Sequence, residues 1–137
     1  MRANVFIVWG GNKRLADKVA ENIRENREYN VQVGGDTHEQ FYVGHQVIDQ
    51  INRSSVAILL VQSIGGQKDS IRLRPNLMFE WGYIIANFMS KNVHIFLIDM
   101  DVRELPSDLA GAWAKSIYTE GKSEDEVAAE ISGQFMR

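Results

Sequence analysis

Glu80 stands alone between Phe79 and Trp81 in the run RLRPNLMFEWGYIIAN, residues 72–87. A carboxylate in so apolar and aromatic a setting is suited to stabilising a cationic centre. Aromatic surface strips part of its water, which disfavours the free anion but makes it a stronger partner for positive charge, whereas a nearby helix start pulls the other way and favours the anion. On a wheel of about 100° per residue, Leu77, Met78, Trp81, Ile84, Ile85 and Phe88 share one broad arc that must face a sheet. Asn76, Glu80, Tyr83 and Asn87 form a narrow stripe along its border. From pattern alone, a glutamate at such a border is more often a solvated or hydrogen-bonded structural residue than a catalyst.

Other chemistries find less support. His38, His45 and His94 fall on three different elements without metal-ligand spacing, and His94 alternates with apolar residues as a structural histidine would. Ser54 and Ser55 precede a strand rather than occupying a nucleophile elbow. The chain has no cysteine, which excludes disulfides, thiolate metal sites and thiol nucleophiles and suits a reducing cytoplasm. Neither a metal nor a resident cofactor is expected. GGNKRLA lacks the spacing of a P-loop, and no GxGxxG follows the first strand. A net charge of -3 lacks the basic footprint of a nucleic-acid binder. No apolar run approaches the roughly 20 residues that span a bilayer, so neither nucleic acid nor membrane is expected as a partner.

The elements that must position Glu80 alternate between strand and helix. VFIVW (5–9) is the first strand. NKRLADKVAENIREN follows as a helix with Leu15, Val19 and Ile23 on one face and Ala16 and Ala20 beside them. VQV (31–33), VAILLVQ (56–62), VHIFLI (93–98) and KSIY (115–118) supply four further strands. FYVGHQVIDQINR, with Val47, Ile48 and Ile51 inward, and PNLMFEWGYIIANFM are two further helices, the latter opened by Pro75 or capped by Asn76. A short helical turn is expected near Ser107–Gly111. Ser123 and Glu126 form a capping box for the last helix, whose inner stripe is Val127, Ile131 and Phe135. Strands that are apolar throughout, alternating with helices, predict an α/β fold: a five-stranded parallel sheet of order 2-1-3-4-5 with helices on both faces. The 137 residues make one domain with a sizeable core, and the form of the last helix suggests one module of a longer protein.

The pairs Gly10-Gly11, Gly34-Gly35 and Gly65-Gly66 follow the first three strands. In a parallel sheet they share the carboxyl edge, where open α/β sheets bind ligands, although any one pair also reads as a plain turn. The connection from Gln62 to Arg74 is long for its type. Its Lys68 and Asp69 read as solvated charges, whereas Arg74 abuts the helix that carries Glu80.

The series VFIVWGG, SSVAILLVQ, RLRPNLMFEWGYIIAN and LPSDLAG resembles the bacterial TIR-like family, in particular the predicted nucleotide-binding branch. That branch includes modules fused to STING or other cyclic-nucleotide sensors in antiphage defence. RPNLMFEWGYI is the most specific segment, similar to the family's R-x-N-h-x-F-E-h-G-Y pattern (h, apolar). The resemblance covers nearly the whole chain and implies a flavodoxin-like three-layer fold. It also implies cleavage of NAD+ at the nicotinamide–ribose bond, with NAD+ as substrate. It places the catalytic glutamate on Glu80, substrate contacts on Trp9 and Gly10, and the preceding arginine and asparagine on Arg74 and Asn76. Where Trp9 stands, smaller or imidazole side chains are usual in the family. As partners it implies further copies of the domain, through TIR–TIR contacts that complete the site, and a fused cyclic-dinucleotide sensor. A non-catalytic TIR scaffold and an N-deoxyribosyltransferase-like enzyme are the alternatives.

Overall fold

Apolar runs become strands here because parallel pairing buries both of their faces. The computed structural model describes residues 3–9, 12–34, 53–62, 93–99 and 114–136. Among them are strands β1 (Ala3–Trp9), β2 (Tyr29–Val33), β3 (Val56–Gln62), β4 (Val93–Ile98) and β5 (Ala114–Ile117), with helices α1 (Lys13–Arg24) and α2 (Glu124–Phe135). The strands form one sheet of order β2-β1-β3-β4-β5, parallel at every pairing. This is the expected α/β, flavodoxin-like arrangement.

β3 and β4 have the bounds expected from their apolar runs. β1 and β2 start earlier than expected, at Ala3 and Tyr29, because Ala3 and Asn4 continue the register opposite Tyr29 and Asn30. Asn4 and Asn30 are polar, so hydropathy does not reveal that ladder. β5 is shifted to Ala114–Ile117, and Tyr118 lies just beyond it, exposed. The expected helices around Val47 and around Glu80, and the turn near Ser107–Gly111, lie outside the described residues.

Side chains alternate across the sheet. Val5, Ile7 and Trp9 of β1, Ile58 and Leu60 of β3, Phe96 and Ile98 of β4 and Ile117 of β5 form one core with the two helices. α1 contributes Leu15, Ala16, Val19, Ala20 and Ile23, and α2 contributes Val127, Ala128, Ile131 and Phe135. Burying a side chain as large as Ile131 or Phe135 stabilises by about 1.5–3 kcal/mol. On the opposite face Phe6, Val8, Leu59, Ile95 and Leu97 are also fully buried. His94 faces the α2 side and meets Phe135 edge-on, with ring centroids 5.0 Å apart. Ser55 is a tether rather than a nucleophile: its hydroxyl accepts the Asn4 N–H at 3.1 Å. Among the described residues, no helix is long and apolar enough to cross a membrane.

Candidate functional site

The carboxyl edge of the sheet is built from the last residues of the strands and the first residues of the helices. β1 ends at Trp9, and α1 is capped at Asn12, so only Gly10 and Gly11 lie between them. The Asn12 backbone is extended (φ -132°, ψ 97°), as an N-cap should be. Its Oδ1 accepts the Leu15 N–H at 3.2 Å.

Trp9 is 4% exposed and belongs to the core shared with α1 and α2. Its indole Nε1–H donates to the Gly34 carbonyl at 2.5 Å, and the Gly34 N–H donates to the Ile7 carbonyl at 2.9 Å. The first residue of the second glycine pair is thus stitched to the end of β1. Stacking of the Trp9 ring on a ligand would require it to leave the core.

At the far side of this edge, Asp99 follows β4 with a φ of 56°. Its carboxylate accepts the Thr119 N–H at 2.9 Å and the Thr119 hydroxyl at 2.7 Å, closing β4 against the residues after β5. Ser123 caps α2 and forms the expected reciprocal box with Glu126. The first turn of α2 carries Glu124, Asp125 and Glu126, anions at the positive end of the helix dipole.

Glu124 joins the two helix starts. Its Oε2 accepts the Asn12 Nδ2–H at 3.0 Å and lies 3.7 Å from Arg14 Nη2, while its Oε1 lies 3.8 Å from Lys18 Nζ. Lys18 also donates to Asp125 Oδ1. That hydrogen bond, with the charges of Asp125 and Glu124, raises the Lys18 pKa above its ordinary value.

Between these parts opens a cleft of about 260 Å3, lined by Asn12, Leu15, Ile98, Thr119, Lys122, Glu124 and Val127. Its polar side chains all have protein partners: Asn12 with Glu124, Thr119 with Asp99, and Lys122 with Glu130 at 2.8 Å. The cleft is a buttressed corner at the capped start of α1.

Of the site residues expected from sequence, Trp9 is at this edge. Gly10, Arg74, Asn76 and Glu80 lie outside the described residues, as do His38 and His45. The sequence reading gave no role at this edge to Asn12, Asp99, Thr119 or Glu124. Asn12 carried a usable signal, an Asn directly before an apolar-periodic run. The cross-chain partners did not, since they lie far apart in sequence.

Residues 4–118 match the family described as CAP12/Pycsar effector protein, TIR domain. The chain belongs to this family. No curated protein matches the chain. The matched span runs from Asn4 in β1 to Tyr118 just beyond β5 and takes in the RPNLMFEWGYI segment of this TIR domain. α2 lies beyond the span, yet it completes the core and braces the start of α1.

Proposed function

We propose that this TIR domain is an antiphage effector that cleaves NAD+ between nicotinamide and ribose, and that it becomes active when copies assemble. The observation that carries this reading is the RPNLMFEWGYI segment, with its single carboxylate, inside the span matched to the effector family.

Nicotinamide is bonded to ribose through a positively charged nitrogen, so it leaves as a neutral base once it takes the bonding electron pair. No general acid is required. The positive charge moves to the ribosyl carbon, where the Glu80 carboxylate stabilises it, much as a glycosidase carboxylate stabilises an oxocarbenium ion. Water then forms the new C–O bond and releases a proton, giving ADP-ribose. Capture by an adenine nitrogen gives a cyclised product instead, and product analysis distinguishes the two. Gly10 allows close approach of the backbone to the substrate. Arg74 meets the pyrophosphate as a charge-assisted donor, and Asn76 orients the substrate. Trp9 contributes chiefly as an anchor, which is the role its burial and its Gly34 hydrogen bond support. A second copy completes the site, and a linked cyclic-nucleotide sensor drives the assembly.

The test is nicotinamide release from NAD+ by full-length chain held at high local density on a surface or scaffold. Glu80→Gln should lower turnover by at least about 100-fold, the scale of losing a principal electrostatic stabiliser. Absence of turnover by wild-type protein that still self-associates would leave a binding scaffold. Base exchange on deoxynucleosides would point to a transferase.

A further inference from the structure

Among the described residues β2 is the outermost strand, paired on one side only, with β1. The Ala3 N–H donates to the Glu28 carbonyl at 2.9 Å, and the Gly34 N–H donates to the Ile7 carbonyl at 2.9 Å. Backbone polar groups alternate in direction along a strand. Glu28, Asn30, Gln32 and Gly34 therefore face β1, while Tyr29, Val31 and Val33 turn their N–H and C=O to the outer edge. At the middle of that edge the Val31 carbonyl accepts a hydrogen bond from Arg24 Nη2 at 3.0 Å. Arg24 is the basic residue in the last turn of α1. A cation at that place ordinarily serves the carbonyl end of its own helix. This one reaches across to the strand.

We propose that Arg24 guards this edge: its contact with Val31 is an inhibitory device that keeps β2 from pairing with β2 of a second copy of the chain. A strand edge with outward N–H and C=O groups is a template for another strand, and this template is self-complementary. In an antiparallel pair on a two-fold axis through Val31, the middle of the five residues of β2, Val31 lies opposite its own counterpart and Tyr29 opposite the counterpart of Val33. The outward residues of both strands then coincide. The capped carbonyl is the one at the axis. Pairing must strip a charge-assisted hydrogen bond from each copy and bring two guanidinium groups together, where like charges repel. The Val31 side chain is already buried in the core, and Asn30 and Gln32 on the other face are polar. Backbone hydrogen bonds would thus be the main gain from pairing, and Arg24 withholds the central ones. The proposal is independent of the NAD+ reading.

The test combines sedimentation equilibrium of the full chain with amide hydrogen exchange at Val31 and Val33, on wild type, Arg24→Ala, Arg24→Met, Arg24→Lys and Arg27→Ala. Arg27 is exposed as Arg24 is, so Arg27→Ala makes the same change of charge nearby. In the wild type, the Val31 and Val33 amides should exchange freely at every concentration, including any at which copies associate through another surface. Arg24→Ala should self-associate at least about tenfold more tightly than wild type, the scale of one hydrogen bond to a charged group. Val31 and Val33 should gain protection as it does so, while Asn30 and Gln32, which face β1, stay unchanged. Arg24→Met keeps the apolar stem and carries the same comparison if the Ala variant folds poorly. Arg24→Lys, which keeps the charge and a donor, should behave as wild type, and so should Arg27→Ala. Wild-type association in both the Ala and Met variants, equal association in Arg27→Ala, or association without protection at Val31 and Val33 would each overturn the proposal. Concentration-dependent protection of those two amides in the wild type would overturn it without any variant.

Discussion

The indole Nε1–H of Trp9 donates to the carbonyl of Gly34, joining the carboxyl ends of β1 and β2 through a side chain rather than through the ladder. Gly34 is buried, so that carbonyl has little access to water. Trp9→Phe keeps most of the apolar volume and removes the donor. It should cost about 1–3 kcal/mol, the penalty for a buried acceptor left unpaired plus some lost packing. Urea denaturation measures this, and a loss below about 0.5 kcal/mol would mean that the carbonyl finds another donor.

Asp99 holds a left-handed backbone and two Thr119 contacts together. Replacements should therefore separate the two contributions. Asp99→Gly loses the contacts but suits the backbone, while Asp99→Ala loses the contacts and strains the backbone as well. Stability should fall in the order Asp, Gly, Ala, with the Ala variant about 1 kcal/mol below the Gly variant. Thermal melts of the two variants give the order directly, and equal melting temperatures would contradict it.

Glycines at two positions should respond in opposite directions. Gly133 lies within α2, and a Cβ added there meets nothing within 4 Å. Gly133→Ala should stabilise by about 0.5–1 kcal/mol through helix propensity. Gly121 has a φ of 75°, which an L side chain adopts with strain. Gly121→Ala should destabilise by about 1 kcal/mol. A denaturation midpoint shifted the same way in both variants would refute this contrast.

Burial of His94 against Phe135 lowers its pKa below the ordinary 6.5. The unfolded chain therefore binds the His94 proton more readily than the folded one. Stability linked to this residue is intact above about pH 6.5 and declines as the pH falls from there toward the lowered folded value. His94→Leu removes the linkage. Between about pH 8 and pH 5, the wild-type urea midpoint should fall more steeply than that of the variant. Parallel curves would show that His94 does not titrate differently in the two states.

Legibility in the sequence followed the range of the interactions. β3 and β4 could be read to the residue because burial on both faces leaves runs that are apolar at every position but one. The capping box at Ser123 and Glu126 was equally plain, since its partners are three residues apart. The starts of β1 and β2 were not, because the Asn4 and Asn30 pairing is a property of two strands and not of either alone. At the candidate site, residue type drew attention to Trp9, but its burial and its Gly34 partner needed the fold. Asn12 and Glu124 are separated by 112 positions, and no local pattern links them.

The family match stops at residue 118, whereas the last core helix begins at Glu124. A gene fragment trimmed to the matched boundary would discard Val127, Ile131 and Phe135 and bare the flank of the sheet that they cover. Such a fragment should aggregate on expression and show no turnover for reasons unrelated to chemistry. Recombinant work on this chain needs α2 included before inactivity is given any meaning.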